Sequence, residues 1–285
     1  MKYLFFLLFS FPFSFSCFPF DVEITRPIYS AIGQNIQGIT QNESYWYISN
    51  QFEIYQIPRT TDLVEKNFYP PAILNYKKIG IPRKLQDLGY NHFGGISVYQ
   101  NYIIVALERV SPMKILFFDH VSLELKYEFD VPKKLKSLSW VAGSSSGIYF
   151  SENLINEQHP LYFLEFNSKK LTEIKVRDQI SSIQGGSYNE RTQTLIFSAD
   201  MGSRVGGVYE FDFKTKSFKQ EVAIRYNPGF PAYQELEGLC AYQENGSDKI
   251  SLLLLDNDYV QDGFHFIHIT DYHFRSNVEV EMSSP

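Results

Sequence analysis

Six side chains of this sequence are best suited to chemistry: His92, Glu108, Glu152, Asp200, Glu237 and Asp256. A histidine beside carboxylates can move protons, and several carboxylates at one place can hold a cation. His92 and Glu108 are the candidate catalytic pair, with His92 as base or as donor to a substrate. Glu152, Asp200, Glu237 and Asp256 are the candidate metal ligands. Such hard oxygen donors, joined by amide carbonyls, suit Ca²⁺, which takes about 6–8 oxygens at roughly 2.3–2.6 Å. Gln37, Trp140 and Gln184 are candidates for holding a ligand, Trp140 as an apolar wall for a sugar or lactone ring. The competing reading is architectural: acids after a strand are solvated turn residues, and the amides satisfy neighbouring backbone.

These residues come together only if distant segments are folded onto a common axis. A polar residue before glycine, followed by a strand-like run, recurs at Gln37-Gly38-Ile-Thr, Gly94-Gly95-Ile-Ser, Gln184-Gly185-Gly-Ser and Glu237-Gly238-Leu-Cys. Ser139-Trp140-Val-Ala fills the gap between the second and third of these, which leaves a period of roughly 50 residues. Each unit carries short runs rich in Ile, Val, Phe and Tyr, separated by turn residues such as Asn42-Glu-Ser44 and Asn189-Glu-Arg191. No stretch has the three-and-four spacing of an amphipathic helix. The pattern predicts an all-β fold, a five-bladed β-propeller of four-stranded antiparallel blades, with six blades as the alternative. The last unit shows three strands, so its fourth is expected from Asp21–Thr25 or from Asn277–Met282. In such blades the start of the innermost strand lies beside the end of the second. That pairs Gln37 with Asn50, His92 with Glu108, Ser139 and Trp140 with Glu152, Gln184 with Asp200, and Glu237 with Asp256 and Asp258.

Composition sets the remaining bounds. Aromatic residues make up 16% of the 285, which favours strands, and 44% apolar against 20% charged residues is enough for a core. A formal net charge of −6 argues against a nucleic-acid partner. Residues 1–16 read as an export leader: Lys2, an apolar run from Tyr3 to Phe9, then Ser14 and Ser16 before a cut at Cys17. Cys17 would then begin the mature chain, in the manner of an acylated lipoprotein that meets the membrane only through its lipid. Plain secretion is the alternative, because Ser14 stands where a lipoprotein signal usually has Leu. Residues 17–30 form an N-terminal segment and residues 31–285 the propeller domain. Cys240 reads as a buried small hydrophobe, and two cysteines do not decide whether a disulfide forms. Lys77-Lys78 reads as a solvated loop. The signatures GxSxG, HExxH, GxxxxGK[ST] and paired CxxC are all missing.

The ordered series Gln37-Gly-Ile-Thr, His92-Phe-Gly-Gly-Ile-Ser97, Ser139-Trp-Val-Ala142, Gln184-Gly-Gly186 and Leu236-Glu-Gly238 resembles a group of secreted bacterial β-propellers without an assigned activity. A looser similarity, through Glu237-Gly238, runs to calcium-dependent lactonase and gluconolactonase propellers, in which a Glu-Gly holds the metal; the asparagine ligands of that family have no counterpart here. Together these readings lead to an exported cell-envelope propeller that binds a small ligand or an envelope protein at a polar channel mouth. A Ca²⁺-dependent hydrolase of a small ester, lactone or phosphoester is the alternative.

Overall fold

Short runs of β-branched and aromatic residues, broken by Asn, Asp, Ser and Gly, make this chain a series of brief antiparallel strands. The computed structural model describes residues 22–24, 36–61, 76–152, 160–177, 180, 182–200, 205–225, 233–244, 247–257, 263–270 and 278–281. In chain order the strands are β1 (Val22–Ile24), β2 (Ile36–Gln41), β3 (Tyr45–Asn50), β4 (Glu53–Pro58), β5 (Lys77–Gly80), β6 (Phe93–Tyr99), β7 (Tyr102–Leu107), β8 (Lys114–Asp119) and β9 (Leu125–Asp130). They continue as β10 (Trp140–Gly143), β11 (Gly147–Ser151), β12 (Leu161–Glu165), β13 (Leu171–Ile174), β14 (Ile183–Asn189), β15 (Thr194–Asp200), β16 (Val205–Asp212) and β17 (Ser217–Arg225). The last four are β18 (Tyr233–Glu244), β19 (Ser247–Asn257), β20 (Gly263–Thr270) and β21 (Val278–Glu281). One helical turn, α1 (Arg83–Gln86), lies between β5 and β6, where sequence periodicity gave no helix.

Sheets form from β2–β5, from β6–β9, from β10–β13, from β14–β17 with β21, and from β18–β20 with β1. The first strand of each sheet packs on the first strand of the next: β2 on β6, β6 on β10, β10 on β14, β14 on β18, and β18 back on β2. The fold is therefore an all-β propeller of four-stranded antiparallel sheets around one axis. Among the described residues the four-stranded antiparallel blade expected of every unit occurs four times rather than five or six. The remaining sheet has five strands, because β21 adds in parallel to β17. The outer edge of β17 would otherwise leave its backbone groups unpaired, and β21 covers it. Of the two chain ends offered as the closing strand of the last sheet, the N-terminal one takes the place. Val22, Glu23 and Ile24 pair with Ile269, His268 and Ile267 of β20. Lys77 and Lys78 lie on β5, not in a loop, and Lys78 Nζ meets Glu53 Oε1 at 2.7 Å.

The polar-glycine repeat has a structural cause. Register shifts interrupt β2 between Ile36 and Gly38, β6 between Phe93 and Ile96, β14 between Ile183 and Gly185, and β18 between Leu236 and Leu239. Each is a β-bulge, and Gln37, Gln184 and Glu237 lie within three of them. The glycines let neighbouring inner strands touch backbone to backbone. A Cβ on Gly185 would lie 2.6 Å from the Leu239 nitrogen, and one on Gly238 would lie 2.6 Å from the Ile39 nitrogen. Between the sheets the aromatic residues form the core. Trp140 meets Phe197 edge-on at 4.9 Å, and Phe93 meets Phe118 at 6.3 Å.

We expect Gly185→Val to cost about 2–3 kcal/mol of stability, because its side chain must displace inner-strand backbone. Urea denaturation measures this, and an unchanged midpoint would contradict the close approach.

Candidate functional site

His92 immediately precedes β6 and Glu108 immediately follows β7. Their backbones are joined, with the Glu108 N–H donating to the His92 carbonyl at 3.0 Å. The bulge in β2 brings Gln37 across from the neighbouring sheet, and its Oε1 lies 3.1 Å from His92 Nε2. Since Oε1 only accepts, this contact is made by the tautomer with its ring proton on Nε2. His92 Nδ1 then carries a bare lone pair, and it is buried with no hydrogen-bond partner among the described residues. Glu108 Oε1 stands 3.8 Å from His92 Nε2, and a Cβ on Gly94 would come within 2.9 Å of that same oxygen. The double glycine after His92 thus makes room for a carboxyl group as well as for a strand.

The charge state follows from burial. His92 is 5% exposed, and this burial, with the Arg109 guanidinium second, holds its imidazole down at about 4. Burial pushes the Glu108 carboxyl up to about 7, against the pull of Arg109. At neutral pH the imidazole is uncharged and the carboxyl is close to half protonated, so their 3.8 Å contact is not an ion pair. The cluster is a nearly neutral set of donors and acceptors around an unsatisfied nitrogen. Arg109, whose backbone has φ 69°, tunes both groups. It was not singled out from the sequence, although its place directly after Glu108 was the available signal.

The other candidates fall in different settings. Glu237 is 4% exposed on the bulge of β18, and its carbonyl accepts from Ser198 Oγ at 2.9 Å. Gln184 sits on the bulge of β14, where its carbonyl faces Gly95 of β6. Trp140 is fully buried, with Nε1 donating to Ser151 Oγ at 2.8 Å, so it packs the core and offers no open ring face. Glu152 accepts from the Lys136 backbone N–H at 2.6 Å and secures the segment before β10. Asn50 is buried, and its Oδ1 accepts from the Phe52 and Glu53 N–H groups, building the β3–β4 turn. Asp200 ends β15 opposite Gly206. Asp256 pairs with Gln234 rather than standing across from Glu237, because β18 and β19 run on past the bulge. Cys17 and Asp258 lie outside the described residues. Cys240 is free and buried. Among the described residues no three His, Cys, Asp or Glu side chains group closely enough to hold a metal ion. None of the described helices is long and apolar enough to cross a membrane.

No protein-family model matches the chain, and no curated protein matches it. Among solved structures it is similar to the Dos1 propeller, at 9% identity and a TM-score of 0.41, over 87% of this chain and 70% of that one. It is also similar to the PQQ-bound aldose sugar dehydrogenase of Streptomyces coelicolor, at 10% identity and TM-score 0.48, over 84% and 81%. A third is the Trypanosoma rangeli sialidase, at 10% identity and TM-score 0.46, over 82% and 44%. These neighbours are β-propellers that include enzymes and binding proteins, and at this identity the likeness concerns the fold alone.

The raised Glu108 and lowered His92 make stability depend on pH in opposite directions. Folded Glu108 keeps its proton to about pH 7 while the unfolded carboxyl loses it near 4.5, so this group's contribution falls as pH rises through that window. His92 resists its proton down to about pH 4 against 6.5 unfolded, so its contribution falls as pH drops through that lower window. Glu108→Gln isolates the first effect. We expect the variant to match the parent below the carboxyl's ordinary range and to exceed it above pH 7 by up to roughly 3 kcal/mol. Urea titrations at the two pH values check this, and a gap independent of pH would refute it.

Proposed function

We propose that this chain is an exported cell-envelope β-propeller that binds a small polar ligand at the mouth of its axis, with Gln37, His92 and Glu108 as the recognition cluster. The buried His92 Nδ1, which has no partner among the described residues, carries the reading. A propeller core gains nothing from an orphaned acceptor, and buried polar groups are normally satisfied. A ligand group that donates a proton to this nitrogen repairs the deficit. Glu108 answers a ligand of either kind: protonated it donates, ionised it accepts. A ligand that brings a cation to this carboxyl lowers its pKa and so binds more tightly as pH rises through about 7. Export rests on the leader in residues 1–16, and anchoring on acylation of Cys17.

Thermal melting against a library of small polar metabolites, with Ca²⁺, Mg²⁺ and Mn²⁺ included, tests the site. A binder should raise Tm by several degrees, since a ligand of the native state stabilises it. We expect His92→Ala and Gln37→Ala each to weaken that binder at least about tenfold. Stabilisation that survives both substitutions would place the ligand elsewhere. The export reading is checked separately by the intact mass of the processed protein. A chain beginning at Cys17 with added acyl mass supports the anchor, the same chain without it supports plain secretion, and an uncut chain refutes export.

A further inference from the structure

A second site lies at the opposite end of the strands from His92. β6 leaves His92 and runs to Tyr99, about 20 Å away at the rise of a strand. There the sheet of β6–β9 and the sheet of β10–β13 leave a cleft of about 550 Å³, within the range of small-molecule sites. Its walls are aromatic across the seam. Tyr99 stacks on Phe166 at 5.5 Å and 28°, Phe117 meets Phe166 at 6.4 Å, and Tyr102 meets Tyr127 at 5.6 Å. Tyr127 stays 59% exposed, one of few large hydrophobic side chains left so open among the described residues. Neighbours fix the rings: Gln100 Nε2 donates to the Tyr99 oxygen at 2.6 Å, and Tyr102 and Tyr127 each stand edge-on to Phe117 at 6.3 Å. Fixing the rings in advance reduces the ordering cost of a ligand that stacks on them.

The rim selects the ligand. Its carboxylates are already answered within the protein, Glu128 by Lys84 and Lys114 and Glu165 by the Ser168 hydroxyl. A cationic ligand therefore finds little uncompensated carboxylate there, whereas the Asn167 amide, the Ser146 hydroxyl and Lys169 line the cleft as donors for hydroxyl groups, the Ser145 hydroxyl being taken up by Glu190. A lipid chain would want an apolar rim. A proline-rich peptide is the competing occupant of an aromatic cleft, and the decaproline arm of the test below separates the two. A pyranose ring has the matching form, with a C–H face for the rings and an equator of hydroxyls. We propose that this cleft is a binding site for neutral oligosaccharide, separate from the His92 cluster and independent of the reading given for it.

Calorimetric titration of the full chain with maltohexaose, cellohexaose and chitohexaose, with decaproline as a control, tests the proposal. One of the sugars should bind with a micromolar to millimolar Kd. Tyr127→Ala should weaken it at least about tenfold with Tm unchanged, Tyr127→Phe should keep most of the affinity because the ring remains, and His92→Ala should leave it unaltered. Three outcomes would each overturn the site: no sugar bound at about 5 mM, sugar binding indifferent to Tyr127→Ala, or binding of decaproline in place of sugar.

Discussion

At the hub of this protein, main chain lies directly against main chain, and every seam between sheets carries a polar contact across the gap. Ser49 Oγ donates to the Gly94 carbonyl at 3.0 Å, and the Gly95 N–H donates to the Ser139 carbonyl at 2.6 Å. Ser139 Oγ donates to the Ile183 carbonyl at 2.8 Å, and Ser198 Oγ to the Glu237 carbonyl at 2.9 Å. The ring is completed by Cys240 Sγ and Thr40 Oγ1 at 3.9 Å. Inner strands that close leave no space for side chains between them, which is why glycine recurs there. Their backbone groups must also be satisfied without water, which is why small hydroxyls recur opposite.

The bulges are the local answer to this crowding. An extra residue bends the strand away from its partner in the same sheet and increases the local twist. Its side chain then has to go somewhere other than the filled core. At Gln37 that displacement carries an amide across the seam to His92, so the architecture and the Gln37–His92 contact have one origin. Burial follows from the same tight hub, and burial is the largest influence on both His92 and Glu108.

Much of the strand pattern was legible because it depends on local features: alternating aromatic and β-branched residues, with Asn, Ser and Gly at the turns. Lys77 and Lys78 escaped because an outer strand has little to bury, so its residues look like a loop. The recurrence of polar-glycine pairs was visible, but its meaning as a bulge depends on register between strands, which one sequence does not display. For the same reason the partner of Asp256 was misplaced by the continuation of β18 and β19 beyond Leu236. Trp140 could be placed on an inner strand but not on one of its faces; the structure turns it onto Phe197 and Gly186. The aromatic cleft escaped notice because its walls come from two units, and Phe and Tyr in strands are ordinarily core.

The pairing of β1 with β20 also dictates a schedule for assembly. Residues near position 23 find their partners only when residues near position 268 exist, so nearly the whole chain separates the two sides of this junction. A polypeptide made from its N-terminus onward carries this strand early, with an edge that nothing can yet receive. The earlier sheets can stack in order as they appear, but the last waits for a segment delivered first. Such distant pairing is slow to form. A chaperone that shields the idle N-terminal strand would have its work concentrated at the one moment when the circle snaps shut.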